Sequence, residues 1–131
     1  MKMSEAGQGQ GQKEKAVGFL TLVASGNVRE AYDRYIGPGF RHHNAYFRGD
    51  ANSLMAAMEE NAEKFPNKAI EVKRALEEGD SVMVYSHIKH EPGALGAAVV
   101  HIFRFENGRV AELWDLGQAI PEDSPNENGM F

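Results

Sequence analysis

The sequence predicts an α+β domain, with three N-terminal helices packed on one face of an antiparallel sheet. Two observations carry that prediction. Apolar residues recur at helical spacing until about residue 65, and from Ile70 onward the period changes to two. The second half then divides into four apolar stretches joined by hairpin-length connections, "EEGD", "EPGALG" and "ENG".

Residues 1–12 are rich in Gly and Gln and nearly free of apolar side chains, which predicts a disordered arm ahead of a single domain at 13–131. The first helix follows, with Val17, Leu20 and Ala24 on a stripe widened by Phe19 and Val23, and "SGN" stops it. Asn27 and Glu30 have capping-box spacing and start a second short helix through about Tyr35. The "GPG" at 37–39 closes it, and "FRHHNAYF" reads as a short strand or ordered loop. Asp50 is placed to cap a third helix, with Leu54, Met58, Ala62 and Phe65 on one face and Pro66 at its end.

In the first long strand Ile70, Val72 and Leu76 alternate with Glu71, Lys73 and Glu77, giving one wet face. "SVMVYSHIKH", "AAVVHIFRF" and "RVAELWDLGQ" follow as three more strands. The tail "PEDSPNENG" is polar but ends in Met130-Phe131, an apolar pair that gains by docking.

Composition narrows the function. A chain of 131 residues is one domain by length and buries roughly two-thirds of its unfolded surface. The absence of cysteine excludes disulfides and thiolate metal sites. A net charge of -5 lacks the basic stripe of a nucleic-acid surface, so no nucleic-acid partner is expected. No apolar run reaches the roughly eighteen residues that span a membrane, and the N-terminus has no signal-like apolar core. A cytoplasmic location is the expectation.

The stretch "VHIFRFENGRVAELWD" raises the chemical question, because it places His101 and Asp115 on the two arms of one hairpin. A two-residue Asn-Gly turn pairs Glu106 with Arg109 and His101 with Trp114, and so sends Asp115 to the other face. A three-residue loop with Gly108 as a bulge pairs His101 with Leu113 and Val99 with Asp115, which puts both groups on one face. The second register is favoured, because Glu106 at the first turn position then escapes a positive φ. Trp114 in that register faces the opposite side of the sheet, where an exposed aromatic suggests cover by a second subunit.

The helix–helix–helix–sheet order, the "HHN" after the second helix, "VVHIFRFENGRVAELWDLGQ" and the closing "NGMF" resemble the SnoaL-like proteins, the polyketide-cyclase branch of the NTF2-like superfamily. The resemblance runs from about Glu14 to the C-terminus. It implies a cone-like fold in which a strongly curved antiparallel sheet wraps a pocket closed by the three helices. It also implies a homodimer. In the aldol-condensing members an aspartate on the last strand is the base and a histidine on the preceding strand assists it; Asp115 and His101 match those positions.

Such chemistry removes a proton from a carbon beside a carbonyl and stabilises the enolate, with neither metal nor cofactor. An ordinary carboxylate is a weak base, so the role calls for a desolvating pocket. His43, Asn44, His87 and Tyr85 are candidates for orienting substrate oxygens, and Met58, Phe103 and Leu113, with Met55 and Phe65, for the apolar wall. Of the neighbours His42 and His43 only one can face a site, and family position favours His43. A distributed His43/His87/His101 metal site is the alternative use of those histidines. The expected partner is a small apolar carbonyl compound; the alternative is a non-catalytic ligand-binding or dimerisation module on the same fold.

Overall fold

The computed structural model describes residues 10–131, and most of the expected N-terminal arm lies outside them. The elements run α1 (Gln12–Ala24), α2 (Val28–Tyr35), β1 (Ile36–His42), α3 (Ala51–Lys64), β2 (Ala69–Glu78), β3 (Ser81–Lys89), β4 (Ala97–Glu106) and β5 (Arg109–Ala119). One five-stranded sheet has the order β1-β5-β4-β3-β2. Its four long strands are antiparallel neighbours as expected. The surprise is β1, which adds to the edge parallel to β5 and includes the "GPG" that the sequence suggested as a stop. An edge position explains this, since Pro38 has no amide to give an inner ladder and needs none there.

Helix α1 buries Ala16, Phe19 and Leu20; α2 buries Val28, Ala31, Tyr32 and Tyr35; α3 buries Leu54. These meet the inner face of the sheet, where Val82, Val84, Phe103, Phe105, Val110 and Leu113 complete the core. Phe19 meets Phe103 edge to face at 6.0 Å. The two short helices cross closely because Gly18 lies under the Tyr35 ring. A Cβ there would come within 2.6 Å of the hydroxyl. Asn27 precedes α2 without a side-chain cap, contrary to the capping-box expectation. Asp50 does cap α3, accepting from the Ser53 amide and hydroxyl.

The turn between β4 and β5 departs from both expected registers. Asn107 and Gly108 have φ of 52° and 78°, the two positive values of a type I′ turn, and Glu106 pairs with Arg109. Three residues later Ala111 is extruded as a bulge, so Phe105 faces Val110 but Arg104 faces Glu112. That single extra residue shifts the register and sets His101 directly opposite Asp115. The favoured three-residue loop is therefore absent, yet both groups share the inner face. A second bulge at Lys73 does the same in β2, where Val72 pairs with Ser86 and Arg74 with Tyr85. It turns Ala75 inward and Leu76 outward, 54% exposed, against the expected alternation. Bulges bend and twist a strand, and these two help curl the sheet around the helices.

Replacing Asp50 with Ala removes the α3 cap and should lower the urea midpoint of unfolding. Urea denaturation followed by circular dichroism measures it.

Candidate functional site

The curled inner face leaves a cavity of about 450 Å³ between the helices and the sheet, lined by residues of α1, α3 and all four long strands. Leu20, Leu54, Met58, Phe65, Ile70 and Val99 supply its apolar wall. His101 and Asp115 open on it side by side, as cross-strand neighbours roughly 5 Å apart at Cβ. Asn44, just beyond β1, completes the group by donating its Nδ2 to Asp115 Oδ2 at 3.1 Å. The Asn44 amide cannot turn over, because its Oδ1 is held by the Tyr46 amide at 3.0 Å. Asp115 forms no salt bridge among the described residues. It is half-buried, less enclosed than a fully desolvating pocket would make it.

Burial pulls the His101 imidazole down to about 4, against the opposing pull of the Asp115 charge, so the ring is neutral near pH 7. Its Nδ1 is buried without a hydrogen-bond partner among the described residues. Tyr32 of α2 is the residue that sequence reasoning missed. It is buried, its hydroxyl touches Met58 Sδ at 3.4 Å, and burial plus the Asp115 charge hold the phenol well above its ordinary range. Its helical spacing with Val28 and Tyr35 is that of an ordinary core residue and carries no signal of a site.

The remaining candidates divide by strand parity. His43 lies on the outer face, not in the cavity, because alternation along β1 turns Phe40 and His42 inward and Arg41 and His43 outward. There His43 stacks on Trp114 at 4.8 Å and meets Glu112 Oε2 at 2.6 Å. His42, the inward neighbour, is spent on structure: its Nδ1 accepts from the Asn44 amide and its Nε2 donates to the Arg48 carbonyl. Tyr85 and His87 also face outward, since Val84 and Ser86 between and beside them are the buried positions of β3. Both pack on Phe131, and Tyr85 donates to the Met130 carbonyl at 2.5 Å. The apolar tail thus docks on the outer face of the sheet. Phe103 and Leu113 face inward but lie in the core beneath the cavity. Met58 lines the cavity as expected, whereas Met55 packs against the core. His43, His87 and His101 do not converge, and among the described residues no group of three His, Asp or Glu could hold a metal.

Glu112 gathers the outer-face charges. Arg41 and Arg104 each reach it at 3.1 Å, and with His43 they leave its side chain 8% exposed. Hydrogen bonds from His43, then Arg41, hold its carboxyl down at about 2, against an ordinary value of 4.5. A folded-state value below the unfolded one stabilises the fold above pH 4.5, and that contribution is lost as pH falls toward 2. Glu112→Gln should therefore lower the melting temperature at pH 7, with the gap to the parent narrowing through this window in thermal melts across pH.

A model of the SnoaL-like domain family matches residues 16–113. Among solved structures, an NTF2-like protein of unknown function from Cytophaga hutchinsonii superposes with a TM-score of 0.66 at 19% identity, covering 85% of this chain and 94% of that one. A provisionally assigned isomerase of the SnoaL-like family from Agrobacterium tumefaciens gives 0.67 at 12% identity, covering 82% and 98%. A provisionally assigned polyketide cyclase from Acidithiobacillus ferrooxidans gives 0.63 at 19% identity, covering 89% and 91%. No curated protein matches the chain. At these identities the superpositions establish the NTF2-like cone fold alone, while the family match covers most of the sequence: the chain belongs to the SnoaL-like domain family.

Proposed function

We propose that this protein is a cofactor-independent acid–base enzyme acting through an enolate on a small carbonyl compound. The observation that carries the proposal is a carboxylate facing a largely apolar cavity beside a neutral imidazole, with an amide and, among the described residues, no cation for a partner. A structural aspartate in a half-buried place is normally tied to an arginine or lysine. Asp115 instead keeps its charge available.

Asp115 acts as the general base, taking a proton from the carbon next to the substrate carbonyl. The electron pair of that C–H bond moves onto the carbonyl oxygen, which accepts a hydrogen bond from His101. A neutral imidazole has one N–H. Placing it on Nε2 keeps an orphan donor out of the core, where Nδ1 has no partner, and leaves the donor for the cavity. The Asn44 amide holds the carboxylate in position, and the Tyr32 hydroxyl stays protonated beside it. For aldol condensation the enolate carbon attacks a second carbonyl, and the new alkoxide recovers the proton; isomerisation returns it to another carbon of the same substrate. Substrate entry displaces the water that reaches a half-buried Asp115 and closes the site to solvent during proton transfer.

Exchange of the methyl protons of acetophenone in heavy water, followed by NMR, tests the base directly. Asp115→Asn should slow the catalysed exchange by about a hundredfold or more, with thermal stability unchanged or raised. Unchanged exchange with lost stability would make Asp115 structural and favour a non-catalytic ligand-binding module.

We also propose that the protein is a homodimer through the outer face of β4 and β5. Trp114, which prompted the expectation, already has an intramolecular cover in His43. The support comes instead from two apolar cross-strand pairs, Val100 with Leu116 and Ile102 with Trp114, and from Leu116 being 64% exposed. Sedimentation should give twice the chain mass of 14.5 kDa, and Leu116→Glu should return it to one.

A further inference from the structure

The cavity has a second polar end, remote from Asp115. His101 is paired with Val84, and the cavity continues four residues along β3 to Ile88, a displacement of roughly 13 Å along the strand. Beyond Ile88 and its partner Ile70 the lining changes character. Asn61 and Lys64 come from the last turn of α3, Lys68 from the connection into β2, and His90 from the end of β3. Phe65 and His90 pack with ring centres 4.4 Å apart and planes tilted by 41°, and form an aromatic edge to this end.

Lys68 is half-buried here, and its ammonium donates to the Asn61 side-chain oxygen. Lys64 is exposed at the rim and its ammonium lies 5.5 Å from the Phe65 ring centre. Among the described residues neither lysine forms a salt bridge, although Glu60 also lines the cavity. From these placements we propose that Lys68 is a substrate-binding residue that captures a terminal carboxylate, so that the substrate is an elongated keto acid with its carbonyl at Asp115. This deepens the enolate reading and rests on it for the placement of the carbonyl.

A half-buried ammonium with only an amide oxygen for company is under-compensated. Burial accordingly lowers its pKa from the ordinary lysine value. An incoming carboxylate supplies the missing counter-charge in a place where water screens little, and such charge-assisted hydrogen bonds are the strong ones. The apolar wall between the two ends, from Met58 and Val99 to Ile70 and Ile88, fits a hydrocarbon spacer. The two charges of opposite sign also orient the ligand. The acid is repelled from Asp115 and drawn to Lys68, so only one end of the substrate reaches the base.

The test uses 5-benzoylpentanoate, which joins an aryl ketone to a carboxylate, and its methyl ester as the uncharged match. Calorimetric titration of the full chain should show the acid binding roughly tenfold or more tightly than the ester. Lys68→Met should abolish that preference and leave ester affinity unchanged, while Lys68→Arg should keep most of it. Asp115→Asn should leave the acid-to-ester ratio intact or larger even where it stops proton exchange. A failed base and a failed anion site are thereby distinguished. Equal binding of acid and ester, no binding of either, or a preference that survives in Lys68→Met would overturn the proposal. A Lys68→Met protein that melts early, with the parent blind to the carboxylate, would assign Lys68 to tying down the end of α3.

Discussion

The pairing of β4 with β5, offset by the Ala111 bulge, sets what every side chain of the last strand faces. Val110 and Leu113 are both buried, on Phe105 and Phe103 respectively, yet they stand three residues apart. A regular strand turns residues three apart to opposite faces, so one of the two would leave the core. The bulge removes that conflict. Keeping both in the core brings Asp115 in behind them, and the carboxylate reaches the cavity as a consequence of apolar packing further along the strand. Without the bulge Trp114 would face the cavity and Asp115 the outer face.

The same parity separates the molecule into a chemical side and a structural side. Inward lie His101, Asp115 and, from the loop, Asn44, with a carboxylate left without a cation. Outward, on the same strand, Glu112 has two arginines and a histidine, and its charge is fully compensated. Two carboxylates three positions apart on one strand therefore have opposite characters. Glu112 ties β1, β4 and β5 together at the edge of the sheet. Asp115 is held in place by one amide and meets no cation among the described residues.

In the proposed function, substrate selection would follow from the length of the cavity. A pocket with an acid at one end and an ammonium at the other, separated by apolar side chains of α3 and β2, distinguishes ligands by the distance between their polar groups. In the proposed reaction the base would take a proton only from a C–H made acidic by a carbonyl. The apolar wall and the lysine end decide which carbonyl compound stays long enough to react. Members of one fold family can thus share the base and differ at the far wall, in keeping with the general separation of fold from function.

The amino-acid sequence determined the α+β class, the three helices, the Asp50 cap and the hairpins, because each of these depends on local periodicity, capping and turn chemistry. It also singled out His101 and Asp115. The Asn-Gly turn was legible as well, and the preference for a longer loop gave too much weight to the position of Glu106. The i, i+3 spacing of Val110 and Leu113, and of Val72 and Ala75, carried the signal of both bulges. Parity was where the sequence stopped. Whether His42 or His43, Ser86 or His87 faces inward depends on how each strand is registered on its neighbour, and that is a balance of core packing across the whole sheet. Tyr32 and Lys68 were invisible for a related reason: the Asp115 charge that acts on Tyr32, and the His90 that shares a cavity with Lys68, are distant from them in sequence, and only the curl of the sheet brings each pair together.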